Sequence, residues 1–247
     1  MNRKRRLFLF FTLLLSSYAF AARPVVNANI DVRSLLSSPQ FSSSINLIIS
    51  LALISLIPFF LISVTSFLRI IIVFAFVRTA IGTQQVPPNS VLIGLAMFMT
   101  VFIMAPVWQD INKNALAPYN EGKISQAKAL EIGAKPLQKF MIRQTREKDL
   151  ALFVQFAKIK PPKTVDEVPM YVLIPSFMIS ELKTSFQIGF LLFIPFIMID
   201  LTVANILLSL GMFMLSPVMV SLPFKILLFV LVDGWNLITR GLLMSFR

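Results

Sequence analysis

The chain has 247 residues, of which 57% are hydrophobic and only 14% charged, with a formal net charge of +12 and a mean hydropathy of +0.81. A soluble domain of this length has too little interior to bury so much apolar surface, so a membrane-associated protein is expected. Cysteine and histidine are both absent, which excludes thiol chemistry, disulfides, Cys/His zinc sites and the usual general base at neutral pH.

The amino terminus has the pattern of a secretory signal peptide at residues 1–21. Basic residues 3–6 precede an apolar run at residues 7–15, and Ala19 and Ala21 form an A-x-A cleavage pattern. We expect cleavage after Ala21, with an uncleaved anchor helix as the alternative, because the apolar run is too short to span a bilayer. Removing the four basic residues lowers the net charge from +12 to +8. Residues 22–44 would then form an extracytoplasmic segment.

Two hydrophobic blocks follow, at residues 45–107 and 170–247, with a polar insert at residues 108–169 between them. Each block is long enough for two spanning helices. Breaks are predicted at residues 82–89 and 214–223, where glutamine and proline interrupt the apolar runs. The expected fold is therefore all-α, with two hydrophobic helical hairpins and a helical insert. Prolines inside the apolar runs predict kinked helices, at Pro58, Pro106, Pro175 and Pro195.

The charge of the insert conflicts with this topology. A signal peptide places residue 22 outside the cytoplasm, so four crossings would put the insert and the carboxyl terminus outside as well. The insert nevertheless carries eleven Lys/Arg against seven Asp/Glu, a net charge of +4, and the positive-inside rule favours the opposite orientation. We therefore expect hairpins that an assembly shields, rather than four ordinary spans.

The insert is expected to contain two helices. Ser125 can cap a first helix that ends at Gly133, and Pro136 can open a second helix that runs to about Lys158. Its charged residues are expected to form a solvated face. Because the charges are mixed and lack interleaved aromatic residues, nucleic-acid binding is not indicated. The face comprises Arg143, Arg146, Glu147, Lys148 and Asp149.

Charged residues inside the apolar blocks are candidate functional residues. A charge near a bilayer centre costs about 2.5–3.5 kcal/mol, so each needs a partner or a wet cavity. Arg69 and Arg78 either extend to an interface or pair in a buried site. Glu181, Lys183 and Asp200 either form ion pairs that fix subunit register or mark a proton or ion path. Asp233 precedes a predicted packing corner, where Gly234 would permit a close approach of Trp235.

Six short strings occur in the following order: Val86-Pro87-Pro88-Asn89, Arg143-Gln144-Thr145-Arg146-Glu147, Ser180-Glu181-Leu182-Lys183-Thr184, Leu210-Gly211-Met212-Phe213-Met214, Ser221-Leu222-Pro223-Phe224-Lys225 and Val232-Asp233-Gly234-Trp235. Together these strings resemble the FliP family. The resemblance covers nearly everything after residue 21. The signal peptide and the string at residues 221–225 are more similar to the flagellar branch than to the injectisome branch.

The resemblance implies a structural subunit of the type III protein export gate, without enzymatic activity or cofactor. It implies five copies that assemble with FliQ and FliR into a ring-shaped pore for unfolded proteins, in the bacterial inner membrane at the flagellar basal body. In that family the hairpins pack mainly against neighbouring subunits and lie largely above the bilayer plane, which would resolve the charge conflict. An injectisome subunit is the alternative.

The resemblance also implies a seal. In the family a methionine-rich loop closes the pore as a gasket, and the matching positions here are Met212, Phe213 and Met214. Methionine suits this role because its side chain is flexible and apolar. Phe213 departs from the commoner all-methionine pattern. From composition alone these residues would be a turn between two helices.

Because energy coupling in such systems is usually assigned to other subunits, we expect Glu181, Lys183 and Asp200 to be subunit contacts. Two other classes of protein remain as alternatives. A secondary transporter would show internal repeat symmetry, which the two hairpins lack. A membrane hydrolase would need a nucleophile and a base or paired carboxylates, and Glu181 and Asp200 are far apart in the sequence.

Overall fold

The structure, a computed structural model, describes residues 39–83, 85–159, 162, 164 and 167–246. The predicted signal peptide and its cleavage site lie outside these residues. All secondary structure in the described ranges is helical, which confirms the expected all-α class. The helices are α1 (Pro39–Val64), α2 (Phe67–Ile81), α3 (Asn89–Ile111), a π-helical turn (Asn112–Leu116), α4 (Ala117–Asn120), α5 (Gln126–Gln144), α6 (Glu147–Phe156), α7 (Met170–Ser209), α8 (Pro217–Leu231) and α9 (Gly234–Met244).

The chain divides into two units, residues 1–55 and residues 56–247. The described part of the first unit is the beginning of α1. The second unit contains the rest of the helices, its core and every candidate functional residue described below.

Three stretches of the described helices are long and apolar enough to cross a membrane: Leu47–Val64, Asn89–Asn120 and Met170–Ser209. A fourth span results only if α8 and α9, which meet at a bend of 61°, count as one. The expected count of four therefore depends on that bent pair. Helix α2 contributes no span of its own because its 15 residues rise only about 22 Å, less than the apolar core of about 30 Å.

Helix α2 instead forms the centre of the core of the second unit. Its buried face packs on α7, which presents small side chains there. At Gly189 of α7, an added Cβ would lie 2.4 Å from the ring of Phe76, so only glycine admits this close approach. The buried residues of α2 include Ile70, Val73, Phe74 and Val77, and the small buried residues of α7 are Ser176, Ser180, Ser185 and Gly189.

The break between α1 and α2 was not predicted. It falls at residues 65–66, where no glycine or proline interrupts the sequence. Hydroxyl groups act here instead, because Ser63 donates to the carbonyl of Phe59 at 2.8 Å and Thr65 donates to the carbonyl of Leu61. Such bonds from side chain to backbone compete with the regular helical pattern.

The insert confirms the predicted cap and corrects the predicted helix boundary. The Ser125 hydroxyl accepts a hydrogen bond from the Lys128 N–H at 3.4 Å. Helix α5 then continues through Gly133 and Pro136 to Gln144, so the boundary predicted at residues 133–136 is wrong. Gly133 faces the π-helical turn, where an added Cβ would lie at an ordinary contact distance of 3.5 Å from the Cβ of Ala115. The helix ends where Thr145 and Arg146 become extended.

The second hydrophobic block begins with one long helix. Helix α7 has 40 residues and includes Pro175 and Pro195. The following loop occupies residues 210–216, slightly earlier than predicted, because Pro217 opens α8 at its first turn, a position that needs no backbone N–H. A second break, at residues 232–233, falls at the predicted packing corner; there Asp233 has a left-handed conformation with φ of 48° before α9 begins.

Candidate functional site: the gate loop and three ion-pair clusters

The loop between α7 and α8, residues 210–216, is called the gate loop below. Its first half is a Schellman motif, in which the Gly211 N–H donates to the carbonyl of Leu208 at 3.1 Å and the Met212 N–H donates to the carbonyl of Leu207 at 2.9 Å. Gly211 has φ of +73°, which glycine adopts at no steric cost. The turn is therefore closed by backbone groups.

The three predicted gasket residues follow this turn and point away from the core of the chain. Met212, Phe213 and Met214 are 47%, 75% and 98% exposed. Leu210 and Leu215 on either side are also exposed, so the whole loop presents a continuous apolar tip. An exposed apolar patch of this kind typically contacts another molecule or another subunit.

Arg69 and Glu181 form a buried ion pair. They are 2% and 0% exposed, and their contact is bidentate, with Arg69 Nε donating to Glu181 Oε2 at 2.8 Å and a second nitrogen donating to Oε1. Arg69 also donates to the side chain of Gln144 at 3.1 Å and to the carbonyl and the hydroxyl of Ser245 at 3.0 Å each. All five guanidinium N–H groups thus have acceptors. Of the two alternatives for Arg69, burial with a partner is correct.

Arg78 is only partly buried and bonds to the turn that follows α2. Its guanidinium donates to the side-chain oxygen of Asn89 at 2.6 Å and to the carbonyl of Pro87 at 3.3 Å. Arg78 therefore connects the end of α2 to the start of α3. Of the two alternatives for Arg78, a buried ion pair is wrong, because its acceptors are neutral; a position at an interface stays a prediction.

The second cluster joins the insert to α7. Asp149 of α6 is 2% exposed and accepts hydrogen bonds from Ser180 Oγ at 2.8 Å and from the Lys183 ammonium. Burial alone would raise the pKa of the Asp149 carboxyl. The hydrogen bonds from Lys183 and Ser180, together with the positive charges of Lys183 and Arg146, outweigh burial and hold this pKa below its ordinary value. The Lys183 side chain remains 51% exposed.

Arg146 extends the same cluster along α7. Its backbone N–H donates to Ser180 Oγ at 3.0 Å, and its guanidinium donates to Gln187 Oε1 at 2.6 Å and to Thr184 Oγ1 at 3.1 Å. The expected solvated face of the insert is thus wrong for Arg146 and Asp149. A single sequence does not show that this face has a polar partner on α7.

The third cluster connects α7 to α8. Asp200 accepts hydrogen bonds from Ser221 Oγ at 2.5 Å and from Lys225 Nζ at 2.6 Å. Lys225 is buried, whereas the Asp200 side chain is 29% exposed. The carboxylate neutralises the ammonium, so neither charge is left without a partner in the apolar surroundings.

At the corner that follows Asp233, Gly234 permits a close approach of side chains, as predicted. The charge of Asp233 is not buried there. An added Cβ at Gly234 would lie 2.3 Å from the ring of Phe229, and Trp235 packs edge-on against that ring at 5.4 Å. Asp233 itself is exposed in the single chain. It is therefore placed apart from the three clusters.

Four of the predicted charges, Arg69, Glu181, Lys183 and Asp200, have an ionic partner inside the chain. Within the described residues, Arg78 has neutral acceptors only and Asp233 has no ionic partner. Glu181 and Asp200 lie in different clusters, and each carboxylate faces its own cation, so the pair does not form the two-carboxylate site that a hydrolase needs. Sequence reasoning missed the roles of Gln144 and Ser245 at Arg69. Both residues are distant from Arg69 along the chain, and only the tertiary fold brings them together.

A model of the FliP family matches residues 50–242 of the chain. A flagellar biosynthetic protein FliP from Bacillus subtilis (strain 168) is 52% identical over 221 residues, which cover 90% of this chain and 100% of that protein. The protein of that name from Buchnera aphidicola subsp. Baizongia pistaciae is 48% identical over 96% of this chain and 65% of its own length. The one from Pectobacterium carotovorum is 50% identical over 84% and 80%. This chain belongs to the FliP family.

Proposed function

We propose that the chain is a structural, pore-forming subunit of the flagellar type III protein export gate, which passes unfolded flagellar proteins across the bacterial inner membrane. The family match over residues 50–242 carries this proposal. The relatives are named as flagellar biosynthetic proteins, which favours the flagellar branch over the injectisome branch. The three long apolar helices support a membrane location.

The proposed assembly has five copies of this chain together with FliQ and FliR. Its support is the large apolar surface that the single chain leaves exposed. On α3, Phe98 and Phe102 are 79% and 68% exposed, and on α7, Phe190 is 67% exposed. Such faces need cover from lipid or from neighbouring subunits. A ring in which hairpins pack side by side would provide that cover.

The gate loop is the proposed seal of the pore. A pore for unfolded chains must exclude ions when idle and still conform to any side chain that passes. The apolar, fully exposed Met214 and its neighbours Met212 and Phe213 suit that task, since methionine adapts its shape at little energetic cost. Phe213 gives a stiffer middle position than methionine would.

The charged residues divide into two proposed roles. Arg69 and Glu181 are buried and satisfied within the chain, so they would act on assembly indirectly, by fixing the shape of the subunit. Lys183 and Asp200 are partly exposed, so they retain surface for a neighbouring subunit as well. Asp233 is exposed and would be available as a direct contact.

Native mass spectrometry tests the assembly. The chain would be co-expressed with FliQ and FliR candidates and purified from membranes in mild detergent. We expect one particle that contains several copies of this chain and both partners. A stable monomer that binds a small solute would contradict the proposal and favour a transporter.

Ion permeability tests the seal. Replacing Met212, Phe213 and Met214 together with alanine should make membranes leak ions while the complex still assembles, because the turn at Gly211 is closed by backbone groups. The single variant Phe213→Met is the matched control and should leave permeability low. Unchanged permeability in the triple variant would remove the gate loop from the seal.

A further inference from the structure

A cavity of about 580 Å³ lies between α3 and α9, and neither the family match nor the proposed function assigns a role to it. Three polar side chains of α9 line one part of it: Asn236, Thr239 and Arg240. Their spacing of three and four residues places them on one face of the helix. The volume falls within the range typical of small-molecule sites.

These polar groups have no partner in the described part of the chain. Arg240 makes no ion pair with any described carboxylate, and the side chains of Asn236 and Thr239 make no hydrogen bond to a described residue. Arg240 and Asn236 are exposed and Thr239 is partly buried. A guanidinium, an amide and a hydroxyl thus face the same cavity with free hydrogen-bonding capacity, and the only net charge among them is positive.

The remaining lining of the cavity is apolar. Leu95 of α3 and Leu243 of α9 contribute aliphatic surface, and Trp235 contributes its ring. The ring of Trp235 is held in place by edge-on contacts with Phe74 at 6.1 Å and with Phe229 at 5.4 Å. The cavity therefore combines a cationic polar part with an apolar part, and a ligand that fills both must be amphipathic.

We propose that this cavity binds an anionic phospholipid. The phosphate oxygens accept hydrogen bonds from the planar fork of Arg240, which matches phosphate geometry, and from Asn236 and Thr239. An acyl chain lies against Leu95 and Leu243. This inference requires that α3 and α9 lie at the depth of the lipid rather than above the bilayer plane, and it does not depend on the role as an export gate.

One observation and one general tendency of membrane proteins favour a lipid over a carboxylate from another protein chain. Leu95 belongs to Asn89–Asn120, one of the stretches apolar enough to span a membrane, so the apolar part of the cavity is continuous with a surface suited to acyl chains. Basic pockets between membrane helices are also a recurring site for anionic headgroups.

Tryptophan fluorescence provides the test. The chain contains two tryptophans, so the full-length variant Trp108→Phe leaves Trp235, in the cavity wall, as the only reporter. This protein would be reconstituted in nanodiscs of phosphatidylcholine that contain a minor fraction of brominated lipid. The brominated lipid is phosphatidylglycerol in one series and phosphatidylcholine, at the same mole fraction, in the other.

We expect about a fivefold preference for the anionic lipid in quenching of Trp235, the size expected for one basic side chain at a lipid surface. Arg240→Gln should abolish this preference, and Arg240→Lys should retain part of it because lysine keeps the charge without the fork. Lys139→Gln, which removes one charge from an exposed position on α5, is the matched control and should change nothing.

Equal quenching by the two lipids, or a preference that survives Arg240→Gln, would overturn the proposal. A protein that occupies the cavity in place of the lipid would be recognised by crosslinking. Since the chain has no cysteine, Asn236→Cys introduces a unique thiol into the cavity. Loss of lipid quenching in the complex with partner subunits, together with crosslinking of that thiol to a partner protein, would replace the lipid with a protein contact.

Discussion

The hydrogen-bond acceptors of Arg69 belong to three different parts of the chain. Glu181 lies in α7, Gln144 ends α5, and Ser245 follows α9. A buried pair gains little net stability over apolar residues of the same size, because desolvation of both charges offsets their attraction. What the pair contributes instead is specificity, because one guanidinium fixes the positions of α7, the end of α5 and the end of α9 relative to α2.

Breaking this pair on one side should be far more harmful than removing it. Glu181→Gln would leave Arg69 buried without a counter-charge and should lower the free energy of unfolding by about 3–5 kcal/mol. The double variant Arg69→Met, Glu181→Leu should lose less than Glu181→Gln alone. Equilibrium unfolding of the detergent-solubilised chain would measure both. A double variant that is as unstable as the single one would contradict this reasoning.

Asp149 should make the fold sensitive to acid. Its pKa is lower in the fold than its ordinary value, so its carboxylate stabilises the fold above an ordinary Asp pKa of about 3.9, and this contribution is lost as the pH falls toward the lowered value. Asp149→Asn should remove that part of the acid sensitivity, as measured by thermal unfolding at a series of pH values.

Glu131 provides the control for this pH experiment. Its pKa is also lowered, by a hydrogen bond from Lys128, but both side chains are exposed. Exposed pairs contribute little to stability, so Glu131→Gln should leave the acid profile nearly unchanged. An equal effect of the two substitutions would mean that burial of Asp149 is unimportant.

At the scale of elements, α7 is too long to lie wholly in a bilayer along its normal. Its 40 residues rise about 60 Å, twice the thickness of the hydrocarbon core of about 30 Å. Residues 180–187 make the polar contacts with the insert. Because polar groups are costly to place in lipid, we expect this part of α7 to lie outside the hydrocarbon core. The apolar remainder includes one ion pair, between Asp200 and Lys225.

The contact of α2 with α7 should depend on Gly189. Gly189→Ala would place a Cβ 2.4 Å from the Phe76 ring, and the forced shift should lower the free energy of unfolding by about 1–3 kcal/mol. Phe76→Leu in the same chain should recover part of that loss. Gly94→Ala on α3, where an added Cβ meets no atom within 4 Å, is the control and should be neutral or slightly stabilising by helix propensity.

Local signals predicted several boundaries of these elements. Ser125, Gly211 and Pro217 act through their own backbone or capping chemistry, so their effects can be read from a short stretch of sequence. The break at Thr145 and Arg146 could not be predicted in this way, because Arg146 is held by Ser180 and by other groups of α7. Likewise, the ionic partner of Lys183 is 34 residues away.

At the scale of the whole molecule, intrachain pairing changes how charge substitutions should be interpreted. Lys183→Glu would oppose Asp149 and should reduce recovery of the ring in detergent extracts. This loss alone does not separate a role within the subunit from a contact between subunits. The exchange Asp149→Lys, Lys183→Glu restores the intrachain pair and makes the distinction.

We expect the exchanged pair to recover most of the ring, as measured by native mass spectrometry, if Lys183 acts mainly within the subunit. Failure of the exchange to recover the ring, in a chain whose thermal unfolding is restored, would assign Lys183 to a contact with a neighbour. A variant that is still unstable would show that other groups near Ser180 require the original arrangement.

The backbone closure of the turn at Gly211 has an evolutionary consequence. Folding constrains Gly211, since its positive φ and its N–H complete the Schellman motif. The side chains of Met212, Phe213 and Met214 contribute no hydrogen bond to that motif, so under the proposed function selection on these positions acts on leakage and on substrate passage rather than on closure of the turn. Under that function, single substitutions at these three positions can change the stiffness of the seal while the backbone hydrogen bonds that close the turn stay intact.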